Sequence, residues 1–379
     1  MNKLLIATIK VVAVTYLAFF CVLNTQAHTN PIALEEYSPA IPHYSKELVK
    51  TRLDNLSSVI DIQYTDEVGR RIKEYTVSYR IAGEKILGLV DLYFPLFDQE
   101  IAKRNVPDEL KYVAVVESHL DITAKSKSGA VGLWQFIAST ARLQGLQIDS
   151  HIDERKDAVK STRAALDYLS DLHEKFGDWT LALAAYNCGP GGVRKAIKRS
   201  GSRKYWELRH HLPKETQKYV PRIIAAMYLM QYYHDHNLMA RTVDPDLKAT
   251  IQINDGKGHN LKRLSSELAV DYSILQLLNP QFINGQFPKN NQTLYLNIPV
   301  SRHERYLEVH QKEAYKLLLE ERRNAELLEM KERKAKQQRI LKQKAIVSPL
   351  EPIEQILYRK LKQQHRQRKY YRVRFSKPV

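Results

Sequence analysis

The spacing of apolar residues between positions 46 and 240 is the feature that most constrains the fold. Gly and Pro are sparse there, and apolar residues recur at intervals of three, four and seven. In the stretch DAVKSTRAALDYLSDLHEKF, for example, Val159, Leu166, Leu169 and Phe176 fall on one side of a helix. Runs that alternate apolar and polar residues, which are typical of half-buried strands, are not found in this segment. The pattern predicts a mainly α-helical domain over residues 46–240.

The segments on either side of this region have a different character. Residues 249–300 contain two short β-like runs, TIQIND and LYLNIP, separated by the helix-like stretch LKRLSSELAVDYSILQLLNP, which predicts a small α+β module. Residues 303–345 are charged, lack Gly and Pro, and place Leu and Ala at heptad-like spacing, so we expect one long charged helix. Residues 346–379 form a basic tail, and residues 28–45, with three prolines, form a mobile leader.

The composition excludes several classes of protein. With 44% hydrophobic and 27% charged residues, the chain is of ordinary globular type and is not collagen-like, mucin-like or a multi-span membrane protein. A length of 379 residues predicts two to three domains. The formal net charge is +17, but residues 330–379 alone hold 16 Lys and Arg against 3 Asp and Glu. The basic character therefore belongs to the tail and not to the body of the protein.

Three interpretations of the basic tail remain open. Lys and Arg near an anionic surface gain on the order of 1 kcal/mol each, which favours contact with anionic envelope polymers or a membrane surface. The interleaved Tyr and Arg residues of QHRQRKYYRVRF would also suit stacking on single-stranded nucleic acid. Because an exported chain rarely meets nucleic acid, no nucleic-acid partner is expected. The third interpretation is a solvated helix without a partner.

The N-terminus predicts export. Lysines flank the start of an apolar run at residues 11–23, and TQA at residues 25–27 fits cleavage after that run, so residues 1–27 are predicted to be a signal peptide. The alternatives are a retained membrane anchor, for which the run is short, and a lipid on Cys21. After cleavage Cys188 would be the remaining cysteine, so an internal disulfide is not expected. We expect a location in the periplasm or cell envelope.

A carboxylate lies at a core position of the helix predicted in VPDELKYVAVVESHL. The helix is expected to begin near Pro107, and its apolar face runs through Leu110, Val113 and Ala114 to Glu117. Burial raises the pKa of a carboxyl group, which lets it act as a general acid near neutral pH. The alternative is a structural Glu paired with Arg or Lys.

Three further stretches carry polar residues that could surround this acid. They are KSKSGAVGLWQF with Ser126 and Gln135, LALAAYNCGPGGV with Tyr186 and Asn187, and LPKETQKYVPRI with Glu215 and Tyr219. The spacing assigns no second carboxylate as a nucleophile, since Asp121 points away from Glu117 around the helix. One acid would therefore have to serve twice.

These residues resemble the lytic murein transglycosylases, particularly the membrane-bound transglycosylase D type. The motifs that carry the resemblance are ES at Glu117, A-x-S-x-x-G-A from Ala124, GLWQF from Gly132, AAYNCGPG from Ala184 and ETQKYVP from Glu215. They occur in the family's order, and the resemblance extends from about residue 50 to residue 300. It implies a mainly α, goose-lysozyme-like catalytic domain followed by an α+β module that is LysM-like at best.

The resemblance also implies an activity. Enzymes of this family cleave the β-1,4 bond between N-acetylmuramic acid and N-acetylglucosamine in peptidoglycan without water, leaving a 1,6-anhydro end. Glu117 would be the single acid and base. Ser126 and Gln135 would hold saccharide groups, while Tyr186 and Asn187 would orient Glu117 or the acetamido group of the substrate. Roles in substrate binding for Glu215 and Tyr219 are weighed against a helix-packing salt bridge and a core tyrosine.

No cofactor and no metal are assigned. The pairs His210–His211 and His234–His236 lack the helical i, i+4 spacing of a zinc site and are interpreted as surface histidines.

Asp121–Ile122 stands where relatives usually have Asn-Pro. Glycan binding by residues 249–300 is a hypothesis, and the sequence leaves the oligomeric state open. A lysozyme-type hydrolase on the same fold and a non-catalytic peptidoglycan-binding protein remain as alternatives.

Overall fold

The computed structural model describes residues 40–254, 257–289, 294–347 and 351–374. The predicted signal peptide, Cys21 and residues 28–39 of the predicted leader lie outside these residues. None of the helices in the described ranges is long and apolar enough to cross a membrane.

The first two hundred described residues are helical, as the apolar spacing predicts. The α-helices are α1 (Lys46–Asp54), α2 (Asp66–Lys73), α3 (Arg80–Arg104), α4 (Tyr112–Ser118), α5 (Ala138–Leu143), α6 (Ala158–Phe176), α7 (Trp179–Ser200), α8 (Tyr205–Leu208), α9 (Thr216–Tyr232) and α10 (Pro245–Lys248). Side chains of Ser45, Thr65, Asp157 and Asp178 accept hydrogen bonds from backbone N–H groups in the first turns of α1, α2, α6 and α7. These caps explain why the helices begin at those residues.

Helix α9 lies at the centre of the helical domain. It packs against α2, α4 and α7, and Tyr219, Ile223 and Tyr228 on it are at most 1% exposed. Trp134 is also fully buried, and its indole N–H donates to Thr162 Oγ1 at 3.0 Å. The central position of α9 brings Tyr219 against α4, the helix that carries Glu117.

A smaller unit with its own hydrophobic core follows. Strands β1 (Thr250–Ile253) and β4 (Leu296–Pro299) pair in antiparallel register, and β2 (His259–Asn260) pairs with β3 (Gln286–Phe287). Helices α11 (Leu261–Leu268) and α12 (Tyr272–Leu278) lie between the outer strands in the chain. We call residues 245–310 the α+β module. Its LysM likeness stays a prediction.

The charged segment after the module is two helices and not one. Helix α13 (His303–His310) ends at Gln311, whose φ of −138° is not helical, and α14 (Lys312–Val347) begins at the next residue. The reason is burial, since Tyr306 and Leu307 anchor α13 in the core of the module whereas the described side chains of α14 are mostly exposed. The prediction of one continuous helix was therefore wrong at Gln311.

The predicted basic tail is also helical over much of its length. Helix α15 (Glu351–Arg374) has Pro352 as its second residue, a position where the missing N–H removes no helical hydrogen bond. Pro349, just before this helix in the chain, lies outside the described residues.

The loop between α4 and α5 folds into a compact structure around two glycines. Gly132 N donates to Ala124 O at 2.9 Å, and Val131 N donates to Phe136 O at 3.1 Å. The backbone of Gly132 has a φ of +83° and approaches the Arg155 carbonyl so closely that a Cβ atom would lie 1.9 Å from its oxygen. We call residues 124–136 the GLWQF loop.

We predict that Gly132→Ala lowers the free energy of unfolding by about 3 kcal/mol or more, because both the left-handed backbone and the contact with Arg155 oppose a Cβ atom. Gly129→Ala is the matched control. Gly129 has the same φ of +83° but no atom within 4 Å of its Cβ position, so the loss should be about 1 to 2 kcal/mol. Urea unfolding of both variants measures the difference, and equal losses would contradict the packing argument.

Candidate active site

Glu117 lies in the last turn of a short helix whose other side is in the core. A 3₁₀ turn at Asp108–Lys111 follows Pro107 and leads into α4, and Leu110, Val113 and Ala114 are fully buried, as predicted. The helix ends abruptly because His119 adopts the left-handed conformation, with a φ of 54°. This early end leaves the Glu117 side chain at the border of the core.

Burial and one strong hydrogen bond set the protonation of Glu117. The Tyr219 hydroxyl donates to Glu117 Oε1 at 2.7 Å. Burial raises the pKa of Glu117 to about 7 and outweighs the opposing effects of the Tyr219 hydrogen bond and the Arg222 charge. A carboxyl group with this pKa exchanges its proton readily at neutral pH, which is what a group that gives and takes a proton in one reaction needs.

Two tyrosines, the buried Tyr219 and the half-buried Tyr186, lie near this carboxyl group. Burial and the Glu117 charge raise the pKa of both Tyr219 and Tyr186 well above 10, so both phenols keep their protons. The Tyr186 hydroxyl donates to the Trp134 carbonyl at 2.7 Å and not to Glu117. Tyr219, for which the sequence left a core tyrosine as the alternative, is thus the tyrosine in direct contact with the acid.

Asn187 is bound to a neighbouring helix. Its Oδ1 atom accepts a hydrogen bond from Thr216 Oγ1 at 2.7 Å, which ties α7 to the start of α9 two residues before the chain of α7 kinks at Gly189. The predicted roles of Tyr186 and Asn187 in orienting the acid or the acetamido group stay predictions.

Ser126 and Gln135 lie at the two ends of the GLWQF loop and bind its backbone. Ser126 Oγ accepts from Ala130 N at 2.9 Å, and Gln135 Nε2 donates to Gly132 O at 2.8 Å and to Ala124 O at 3.2 Å. Gln135 itself has a φ of 49°. Their predicted saccharide contacts stay predictions, while their contacts within the loop show how its shape is maintained.

Sequence reasoning missed the residue that connects this loop to the acid. Ser118, directly after Glu117, donates from Oγ to the Leu133 carbonyl at 2.9 Å. The signal was its place in the ES motif, but a serine at a helix end also serves often as a local cap, so spacing alone did not identify the contact.

Glu215 is solvent-accessible and paired. Its side chain is 58% exposed and forms an ion pair with Arg222, whose charge also acts on Glu117 and His119. Asp121 accepts hydrogen bonds from the Thr123 backbone N–H at 2.8 Å and from its hydroxyl at 2.7 Å, so it stabilises the turn after α4. Neither carboxylate contacts Glu117 among the described hydrogen bonds.

A cavity of about 380 Å³ lies next to α4, and Glu117 is not among the residues that line it. Val116 and His119, on either side of Glu117 in the chain, line it together with Tyr75, Tyr79 and Arg222. Partial desolvation and the Arg222 charge lower the pKa of His119. Sequence reasoning missed His119 and Arg222, although both belong to the ESH and YVPRI stretches that it examined.

One histidine interpretation was wrong. His236 is only 5% exposed, and its Nε2 atom is 2.9 Å from the Tyr228 hydroxyl. Burial lowers the pKa of His236 to about 4. It is therefore a neutral packing residue and not a surface histidine.

The fold and the site define a class of protein: a helical domain in which one half-buried carboxyl group of raised pKa is bound by a tyrosine and bordered by a glycine-containing loop. Residues 95–209 match the Transglycosylase SLT domain. This segment of the chain is therefore an SLT domain, and the chain is related to the lytic murein transglycosylases of the Slt type. The match confirms the predicted mainly α, goose-lysozyme-like fold.

Curated relatives support the same assignment. The chain is 36% identical over 185 residues to membrane-bound lytic murein transglycosylase D of Escherichia coli, an alignment that covers 48% of this chain and 40% of that protein. It is 31% identical over 156 residues to membrane-bound lytic murein transglycosylase F of Klebsiella pneumoniae, covering 38% of this chain and 28% of the relative. The chain thus spans less than half the length of these relatives.

Solved structures of soluble lytic transglycosylases are also similar. The 70-kDa soluble lytic transglycosylase from Escherichia coli is 21% identical, with a TM-score of 0.34, over 51% of this chain and 36% of that one.

We predict that Tyr219→Phe raises the pKa of Glu117 above its value of about 7. The tyrosine hydrogen bond stabilises the ionised carboxylate, so its removal favours the protonated form. Infrared titration of the carboxylate band, with Glu117→Gln subtracted, measures the shift. Tyr186→Phe is the matched control, because its hydroxyl donates to a backbone carbonyl. A lower pKa in Tyr219→Phe would contradict the argument.

We predict that Glu117→Gln becomes more stable than the wild type as pH rises. The folded protein keeps this proton up to about pH 7, whereas the unfolded chain releases it near the ordinary glutamate pKa of 4.5. The free energy of unfolding of the wild type therefore falls between these two pH values. At 1.36 kcal/mol per pKa unit the variant should gain about 3 kcal/mol between pH 4 and pH 8. Urea unfolding at both pH values tests this, and a pH-independent difference would contradict it.

Proposed function

We propose that this chain is a peptidoglycan lytic transglycosylase that cleaves the β-1,4 bond between N-acetylmuramic acid and N-acetylglucosamine and leaves a 1,6-anhydro end. The single observation that carries the proposal is the half-buried Glu117 carboxyl with a pKa of about 7, bound by Tyr219. The SLT domain match over residues 95–209 and the names of the relatives support the substrate class.

In the first step the protonated Glu117 donates its proton to the glycosidic oxygen. The bond between that oxygen and C1 of the muramoyl residue breaks, and the N-acetylglucosamine part leaves as an alcohol. Positive charge develops at C1, where the acetamido group of the substrate can share it. The Tyr219 hydrogen bond then stabilises the Glu117 carboxylate that remains.

In the second step the Glu117 carboxylate takes the proton of the muramoyl C6 hydroxyl, and O6 bonds to C1. The acid regains its proton, and no water is consumed. One carboxyl group suffices for both steps, which agrees with a site in which Glu215 is exposed and paired with Arg222. A pKa near neutrality suits both proton transfers, since neither protonation state is strongly favoured.

We assign supporting roles to the residues around the acid. Ser126 and Gln135, at the ends of the GLWQF loop, would hold saccharide polar groups, and their hydrogen bonds within the loop support this by limiting its freedom. Tyr186 would present an uncharged phenol to the substrate, since its pKa is well above 10. Asn187 would orient the acetamido group from its fixed position beside Thr216.

The location and the basic tail complete the proposal. We assign the protein to the periplasm or cell envelope, because the relatives named above are membrane-bound murein enzymes and residues 1–27 read as a signal peptide. We further assign α15 a contact with anionic envelope polymers or a membrane surface. The described side chains at residues 355–366 are exposed, and the region from residue 330 onwards is strongly basic.

We predict that residues 28–379 release muropeptides from purified peptidoglycan that are lighter by one water than hydrolytic products, as measured by mass spectrometry. Glu117→Gln should reduce the release by about 100-fold or more, because a general acid contributes on that scale. Glu207→Gln is the matched control, since this glutamate is exposed and pairs with Lys204 and not with Tyr219. Reducing-end products would identify a lysozyme-type hydrolase, and no release by the wild type would favour a peptidoglycan-binding protein.

A further inference from the structure

The α+β module and the helical domain share a short stretch of chain at residues 148–157. Ile152 belongs to the helical domain in sequence but is 3% exposed within the hydrophobic core of the module. It forms a β-bridge with Phe282. The stretch therefore belongs to both units, and the module is not attached to the helical domain through the chain connection alone.

Backbone hydrogen bonds fasten this stretch to the module on both sides of Ile152. Asp153 N donates to Gln281 O at 2.9 Å, and Ile283 N donates to His151 O at 2.8 Å. Gln281 and Phe282 are both 4% exposed, so these bonds lie away from solvent. Opening them would leave buried polar groups without partners, which makes the joint resistant to separation.

The side chain of Asp153 binds Arg155 and so connects it to the module. The Asp153 carboxylate accepts from Arg155 Nε at 2.8 Å and from one of its terminal nitrogens at 2.7 Å, a bidentate pair between two nearly buried side chains. A planar guanidinium bound on this edge has little freedom to rotate. The position of the module thus determines where the other edge of Arg155 points.

The free edge of Arg155 holds the GLWQF loop. The second terminal nitrogen donates to the carbonyl of Gly129, in the middle of the loop, at 3.0 Å and to that of Phe136, at its end, at 3.2 Å. The carbonyl of Arg155 lies where a side chain on Gly132 would be, so the loop also packs directly on this backbone. Among the described hydrogen bonds that side chains outside the loop donate to it, Arg155 supplies two, whereas Ser118 and Tyr186 supply one each.

We infer that the α+β module positions the GLWQF loop of the active site through Ile152, Asp153 and Arg155. Asp153 and Arg155 are positioning residues, because they contact the loop or each other and not the reacting atoms. The inference rests on the proposed function where it concerns substrate, since Ser126 and Gln135 are the saccharide-holding residues of that proposal. It assigns the module a structural task inside the catalytic site that is independent of any glycan binding by the module itself.

Other hydrogen bonds hold residues 148–157 against the helical domain. An experiment must therefore distinguish their effect on Arg155 from the effect of the module. Glu154 accepts from Gln147 N at 2.8 Å and pairs with Lys160, and Asp157 caps α6. If these bonds alone held Arg155 in place, loosening the module would leave the GLWQF loop unchanged. The test therefore perturbs the module at its joint and, separately, far from the joint.

Hydrogen–deuterium exchange of the full chain, followed by mass spectrometry, reports the loop directly. Ile152→Ala and Ile298→Ala remove the same atoms from the same hydrophobic cluster, but only Ile152 lies in the joint. We expect the amides of the GLWQF loop to exchange about tenfold faster in Ile152→Ala and at the wild-type rate in Ile298→Ala. Arg155→Lys, which keeps the charge and loses the planar fork, should accelerate exchange in the same amides.

Kinetics on peptidoglycan provide the second measurement. Ile152→Ala should raise the substrate concentration for half-maximal release about fivefold with a smaller change in kcat, because Glu117 keeps its bond to Tyr219 while the saccharide-holding loop loosens. Ile298→Ala should match the wild type.

Unchanged loop exchange in Ile152→Ala, or equal acceleration in Ile152→Ala and Ile298→Ala, would overturn the inference. If the wild type released no muropeptides, the proposed function would fail, but the exchange measurements would still decide whether the module positions the loop.

Discussion

The hydrogen bond between Tyr219 and Glu117 is the interaction on which the arrangement of this site depends. It joins two residues 102 positions apart in the chain, so it exists only when α9 packs against α4. Burial pushes the Glu117 pKa up and the tyrosine pulls it down, and the balance near 7 requires both. Without the tyrosine, the carboxyl group would hold its proton more firmly.

A second set of contacts gives the site its loop. Ser118 ties the GLWQF loop to the helix of the acid, and Arg155 ties it to residues 151–153 and so to the α+β module. The acid is thus held by the helical core, and the adjacent loop is held jointly by the core and the module. Glu117, the proposed acid and base, and the loop residues proposed to orient the sugar, Ser126 and Gln135, are therefore held in place by different contacts.

Much of the fold could be predicted because its signals are local. The helices between residues 46 and 240 follow apolar spacing, and the strands β1 and β4 follow short β-like runs. Side-chain caps add a local signal at the starts of α1, α2, α6 and α7. The break at Gln311 could not be predicted in this way. Its cause is the burial of Tyr306 and Leu307 in the module, which depends on residues far away in the chain.

Apolar periodicity predicted that Glu117 occupies a core position of a helix, and sequence motifs singled out Ser126, Gln135, Tyr186, Asn187 and Tyr219. Only the tertiary structure decided which of them touch. Tyr219 reached the acid, whereas Tyr186 bonded to Trp134 and Asn187 to Thr216. The physical reason is that periodicity specifies which face of an element is buried, while hydrogen-bond partners are specified by how separate elements pack, over distances that no local pattern encodes.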